Sequence, residues 1–88
     1  MTVTLNGREM TTREAAHDHL AQQLSFPDWY GRNLDALYDL LTERGEPTLL
    51  VLEESETLTA SLGSYGQALL DTLRDAAENN PTLEIEIL

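Results

Sequence analysis

Thr48-Leu49-Leu50-Val51-Leu52 is the stretch on which the fold turns. Four consecutive aliphatic residues with no polar alternation read as a strand covered on both faces, which places it in the middle of a sheet. The chain's last residues differ. From Thr82 to Leu88 the pattern alternates, with Leu83, Ile85 and Ile87 on one side and Glu84 and Glu86 on the other. That is an edge strand with one wet face and charges that discourage pairing with another chain. At the other end Thr2 to Leu5 alternate as well and stop at Asn6-Gly7, a turn signal, giving a second edge strand.

Helical patterns fill both intervals between the strands. Thr11 followed by Glu14 is a capping box, and the helix it opens carries Ala16, Leu20 and Leu24 on one side. Pro27 forbids simple continuation and Gly31 permits a tight path, after which Asn33 is a good N-cap for a helix from Leu34 to about Thr42. The loop after it ends at Glu46-Pro47, a bond type that occasionally is cis. Beyond the central strand, a short helix over 56–62 stops at Gly63. Ser64 with Gln67 then caps the longest helix, which buries Leu69, Leu73, Ala76 and Ala77 and ends at Asn80-Pro81.

Strand, helices, strand, helices, strand predicts parallel pairing through right-handed crossovers. The most apolar strand takes the centre. The expected architecture is therefore α/β: a two-layer fold with a three-stranded parallel sheet in order 1-2-3 and about four helices on one face. One tension comes with it, because two layers leave the other face wet while the middle strand is apolar on both sides. A loop or a neighbouring side chain is expected to cover part of that face.

Eighty-eight residues accommodate one domain, expected to span 1–88, and a hydrophobic fraction of 41% suffices for a modest core. There is no cysteine, so neither disulfides nor thiolate metal sites contribute. The N-terminus lacks the basic and apolar regions of a signal peptide, and no apolar run approaches membrane-spanning length, so a cytoplasmic protein is expected. Charge is more informative. Sixteen acidic residues face five arginines and no lysine, for a formal net charge of −11. Direct binding to nucleic acid through its phosphates needs a basic surface and is disfavoured, as is an acidic membrane. A basic protein partner fits that balance.

The segment Pro27-Asp28-Trp29-Tyr30-Gly31-Arg32-Asn33-Leu34-Asp35-Ala36-Leu37-Tyr38-Asp39 is the richest in the chain. Leu34, Leu37 and Leu41 form the inward stripe of its helix, leaving Asp35, Tyr38, Asp39 and Thr42 on the opposite side. Asp35 and Asp39 are one turn apart, a like-charge pair that costs about 0.2–0.5 kcal/mol in a helix. Asp35 is compensated by the helix N-terminus; Asp39 lies too far along. A local rule broken without compensation marks a candidate site. Three of the five aromatics, Trp29, Tyr30 and Tyr38, lie within ten residues of one another beside these carboxylates, and aromatic anchors flanked by charge make a protein-binding hot spot.

In spacing and composition this segment resembles the signature of the barstar family, intracellular inhibitors of the ribonuclease barnase. The likeness continues through Asn6-Gly7, the Leu-Val-Leu-Glu at 50–53, Arg74-Asp75-Ala76 and the terminal strand. It implies a three-stranded parallel sheet with helices against it, no enzymatic activity, no cofactor, and a basic ribonuclease as protein partner. Carried over by position, Trp29, Tyr30, Gly31, Asn33, Asp35, Tyr38, Asp39, Thr42 and Arg44 face the enzyme, and Asp75 adds a peripheral carboxylate. Asp39 takes the place of a substrate phosphate. The chain departs from the family where Trp29 and Tyr38 replace a tyrosine and a tryptophan, where Asp75 replaces a glutamate, where Leu40 replaces a cysteine, and where Arg44 replaces an aromatic. These changes keep the carboxylates and leave the identity of the partner nuclease open. A monomer that binds one enzyme molecule is expected.

Other readings are weaker. An immunity protein against a delivered nuclease toxin shares the same binding chemistry. Asp35 and Asp39 as an acid–base pair, or as metal ligands with Glu53, Glu54 and Glu56, lack a nucleophile, an oxyanion site and a deep pocket. His17 and His19 are two apart and point to different sides of a helix, so they cannot chelate together and are expected to be solvated.

Overall fold

The computed structural model describes all 88 residues, Met1–Leu88. The elements run β1 (Thr2–Asn6), a 3₁₀ turn (Gly7–Glu9), α1 (Arg13–Leu24), α2 (Leu34–Glu43), β2 (Thr48–Glu53), α3 (Ser55–Leu62), α4 (Ser64–Glu78) and β3 (Leu83–Ile87). All strands are parallel in the order β1-β2-β3. The expected topology is the one found, with the apolar strand in the centre.

Register explains the burial pattern. Val3, Leu50 and Ile85 are neighbours across the three strands, as are Leu5, Leu52 and Ile87. This side joins Leu20, Leu37, Leu41, Leu58, Leu69 and Leu73 from the helices in one cluster of 17 buried residues. On the other side Leu49 lies between Thr2 and Glu84, and Val51 between Thr4 and Glu86. Leu49 and Val51 are only half-buried there. Residues of the flanking strands thus supply part of the cover for the second apolar face of β2.

Local details differ from the sequence reading at two helix starts. The first helix is capped by Thr12, whose Oγ1 accepts from the Ala15 amide at 3.0 Å; Thr11 lies outside it. No capping box forms at Ser64 either. Gly63, at φ 60°, links α3 directly to α4, and Gln67 donates instead to Asp71 at 3.2 Å. Only glycine takes that backbone conformation cheaply. The peptide bond before Pro47 is trans, like every other. Within α4, Leu69, Leu73 and Ala76 are buried and Ala77 is half-buried. No helix is long and apolar enough to cross a membrane.

Gly7 is required by close approach. A Cβ there would lie 2.1 Å from the Glu54 carbonyl oxygen, so the 3₁₀ turn after β1 sits directly on the loop after β2.

Candidate functional site

α2 is fixed at both ends by asparagines. At its start the Asn33 Oδ1 accepts from the Ala36 amide at 2.8 Å, while Nδ2 donates to the Gly31 carbonyl at 3.2 Å. Beyond its last turn the buried Asn80 donates through Nδ2 to the carbonyls of Leu41 and Arg44, both at 2.8 Å. Carbonyls at a helix end lack the usual partners of the helix interior; that of Leu41 has only a long bond of 3.4 Å from the Arg44 amide, which Asn80 supplements. Its Oδ1 accepts from the Thr82 amide and hydroxyl, which satisfies the whole buried amide. Leu37 and Leu41 anchor the inward stripe, with Leu34 half-buried at its edge. α2 packs against α4, on which Asp75 is exposed.

The outward side carries the acids. Asp35 and Asp39 are exposed and neither forms an ion pair, although Asp35 borders a cleft that Arg13 and Arg32 also line. The three ion pairs lie elsewhere: Arg8 with Glu54, Arg32 with Asp18, and Arg74 with Asp71. Tyr38 is half-buried beside them. Thr42 is half-buried too, and its hydroxyl donates back to the carbonyls of Tyr38 at 2.9 Å and Asp39 at 3.1 Å. Trp29 is 75% exposed, the only large aromatic so presented. It shares a shallow cleft of about 390 Å³ with Asp39, Leu40 and Glu43. An apolar floor, an indole wall and two carboxylates make a receptacle for a cationic or aromatic group of a partner.

Two residues expected on this face are held by contacts within the chain, although Tyr30 still lines the Trp29 cleft. Tyr30 is buried, its ring 4.8 Å from that of Phe26 and its hydroxyl 2.6 Å from His17 Nδ1; desolvation raises its pKa well above the usual phenol value. Arg44 is half-buried and tied to its own chain. Its Nε donates to Thr48 Oγ1 at 2.9 Å and its Nη1 to the Leu24 carbonyl at 3.3 Å. The left-handed residue of the loop is Arg32, at φ 53°, and not Gly31. A non-glycine residue there stores strain of about 1–3 kcal/mol, a feature that clusters at functional loops.

Both histidines also differ from expectation. His17 is buried with its two ring nitrogens on the hydroxyls of Tyr30 and Tyr65, and His19 Nε2 accepts from the Asn6 amide at 3.0 Å. Burial lowers the pKa of each; the charge of Arg32 adds to the effect at His17, and Glu9 opposes it at His19. The sequence held a signal for His17, which stands three and seven residues before Leu20 and Leu24 and so belongs to their stripe. The Asp35–Asp39 pair and the Glu53, Glu54, Glu56 group are not brought together, and no group of three or more His, Asp or Glu side chains is placed to hold a metal ion.

Comparison with known proteins agrees with this architecture. The family model described as Barstar (barnase inhibitor) matches residues 1–87. A Bacillus subtilis (strain 168) protein named "Putative ribonuclease inhibitor YrdF" is 43% identical over 77 residues, covering 86% of this chain and 85% of that protein. With nearly every residue inside the family model and a relative this similar over most of both chains, the protein belongs to the barstar family.

Proposed function

We propose that this chain inhibits a basic ribonuclease of the barnase type by seating the outer side of α2 and the Trp29 loop in the enzyme's active-site cleft. The observation that carries this reading is the pair Asp35 and Asp39, exposed and in no ion pair, with Asp39 lining a cleft beside an exposed indole. A nuclease cleft is positive because it grips phosphates. A protein of net charge −11 is drawn to it before contact, and the carboxylates then compensate the cations that RNA would otherwise neutralise. The family description and the relative's name support the same role.

In this reading Asp39 stands in for a substrate phosphate and Asp35 accepts further charge-assisted hydrogen bonds. Trp29, Gly31, Asn33, Tyr38 and Thr42 complete the contact, with Asp75 at its edge. The chain performs no reaction; it excludes substrate as one molecule per enzyme, in the cytoplasm.

The test is titration of the protein into an RNA-cleavage assay with barnase and a panel of other basic bacterial ribonucleases. Stoichiometric loss of cleavage by at least one enzyme is expected, with association slowed strongly by salt and dissociation changed little. Undiminished cleavage by every enzyme, with no complex on a sizing column, overturns the proposal.

A further inference from the structure

The loop between α1 and α2 has little regular structure to hold it. Its backbone bonds include Tyr30 N–H to the Pro27 carbonyl at 3.0 Å, and Asn33 braces Gly31. Arg32 is left-handed, and its ion pair with Asp18 of α1 joins half-exposed groups, which hold geometry weakly. Beneath the loop, however, runs a chain of three side chains. His17, 1% exposed, lies 2.6 Å from the Tyr30 hydroxyl through Nδ1 and 2.7 Å from the Tyr65 hydroxyl through Nε2. Tyr65 sits in the first turn of α4, and the Arg13 guanidinium covers its ring at 4.2 Å from the centroid. One relay therefore fastens the loop to two helices.

Counting protons gives the relay a direction. A neutral imidazole offers one N–H and one lone pair. Tyr30 is buried, and its hydroxyl meets no acceptor but His17. Its O–H must then donate to Nδ1, which leaves the proton of His17 on Nε2, donating to Tyr65. Tyr65 is only partly buried and borders an open cleft, so its own O–H is free to donate a hydrogen bond to solvent. The opposite tautomer would bury the Tyr30 proton without an acceptor, which buried polar groups avoid.

We propose that His17, backed by Tyr65, is a positioning residue: it holds Tyr30 so that the 27–33 loop presents Trp29 and the start of α2 in the shape that docks. This rests on the inhibitor reading above. Neither His17 nor Tyr65 belongs to the partner-facing set, so both act through Tyr30. If the loop were released, only the fraction still docked on α1 would bind, and the apparent dissociation constant would rise by the inverse of that fraction.

Amide hydrogen exchange on the free full-length chain, paired with dissociation constants for whichever ribonuclease of the panel the unmutated chain inhibits, tests this. In His17→Leu the Tyr30 amide is expected to lose at least tenfold more protection than the amides of Leu50 and Leu69, and the dissociation constant to rise at least fivefold. Tyr65→Phe, which removes one hydroxyl, shifts both in the same direction by less and serves alone if His17→Leu does not fold. His17→Gln, which keeps one donor and one acceptor, recovers part of both losses. A uniform loss of protection across the fold would mean a merely structural histidine and overturn the proposal. So would a freed loop with unchanged affinity, which would leave the inhibitor reading intact. If the unmutated chain binds no ribonuclease at all, the inhibitor reading fails, while the exchange pattern still decides whether His17 holds the loop.

Discussion

Asp35, Asp39 and Glu43 on α2, and Glu53, Glu54 and Glu56 at and beyond the end of β2, are two runs of three exposed carboxylates, each beside a shallow cleft. Their neighbours differ. No member of the first run forms an ion pair, and Asp39 and Glu43 share their cleft with an exposed tryptophan. The second is bound into the fold: Arg8 pairs with Glu54 at 3.4 Å, Gly7 lies against the Glu54 backbone, and the Ser55 hydroxyl donates to the Leu88 carbonyl at 2.7 Å. No aromatic side chain lines its cleft. Equal charge thus serves unequal purposes. Negative potential speeds encounter wherever it lies on the surface, whereas a held complex needs desolvated charge pairs and a large anchor in the same place.

The sharpest way to break this contrast is to remove one acid from each run. Asp39→Ala is expected to weaken binding of the target ribonuclease by about 2–5 kcal/mol, a range measured partly on barnase and barstar themselves, because it leaves buried cations of the enzyme unpaired. Glu54→Ala loses only an exposed ion pair and changes affinity little. Calorimetric titration of both variants decides it, and comparable losses would refute the distinction between the two surfaces.

Trp29→Ala comes next. A side chain this exposed contributes little to the fold, so thermal stability should stay within about 0.5 kcal/mol of the parent. Affinity should fall by about 2 kcal/mol if the indole is an anchor. Reduced stability with undiminished affinity would place Trp29 in the fold's service and not the partner's.

Much of this contrast was legible in the sequence. The unbroken run at 49–52 identified the central strand, and the alternation at 83–87 its edge, because both patterns follow from which faces are buried. The outward side of α2 was readable for the same reason: helical spacing separates Leu37 and Leu41 from Asp35 and Asp39. What spacing does not carry is direction within loops. Trp29 and Tyr30 are adjacent aromatics of similar size, and only the distant hydroxyl-binding partner His17 draws one inward and leaves the other out. Arg44 is similar, since its guanidinium is claimed by Thr48 and Leu24, residues that the fold alone brings near it. Caps shifted by one position: Thr12 instead of Thr11 accepts from an orphan amide, and Gly63, whose backbone conformation allows the tight link from α3, precedes α4 with no side-chain cap.

Acid offers a smaller effect, on stability instead of affinity. A histidine underlies each surface: the buried His17 holds the loop beside α2, and the half-buried His19 accepts from Asn6, which lines the second cleft. Burial lowers the pKa of both from 6.5 in the folded state. Above pH 6.5 both states are neutral at these rings and the stabilisation is fully present. As pH falls through 6.5 and on through the depressed folded values, the unfolded chain binds protons first, so stability declines. Denaturant midpoints from pH 8 to pH 5 should fall in the parent, and fall less in His17→Gln. A flat profile in the parent would mean that neither ring is kept neutral by the fold.

The least effect is expected from Glu53→Gln, and its smallness is informative. Glu53 is exposed at the end of β2, has no ion-pair partner, and lies outside the proposed contact. Its charge should act only at a distance, through a field that salt screens within about 10 Å at 0.1 M. Stopped-flow mixing with the target enzyme should therefore show slightly slower association at low salt, unchanged dissociation, and an equilibrium change within about 0.5 kcal/mol that disappears as salt is raised. Faster dissociation at high salt would mean that Glu53 touches the enzyme. The docking face would then reach across to the end of the sheet, and the line drawn between the two acidic surfaces would have to be moved.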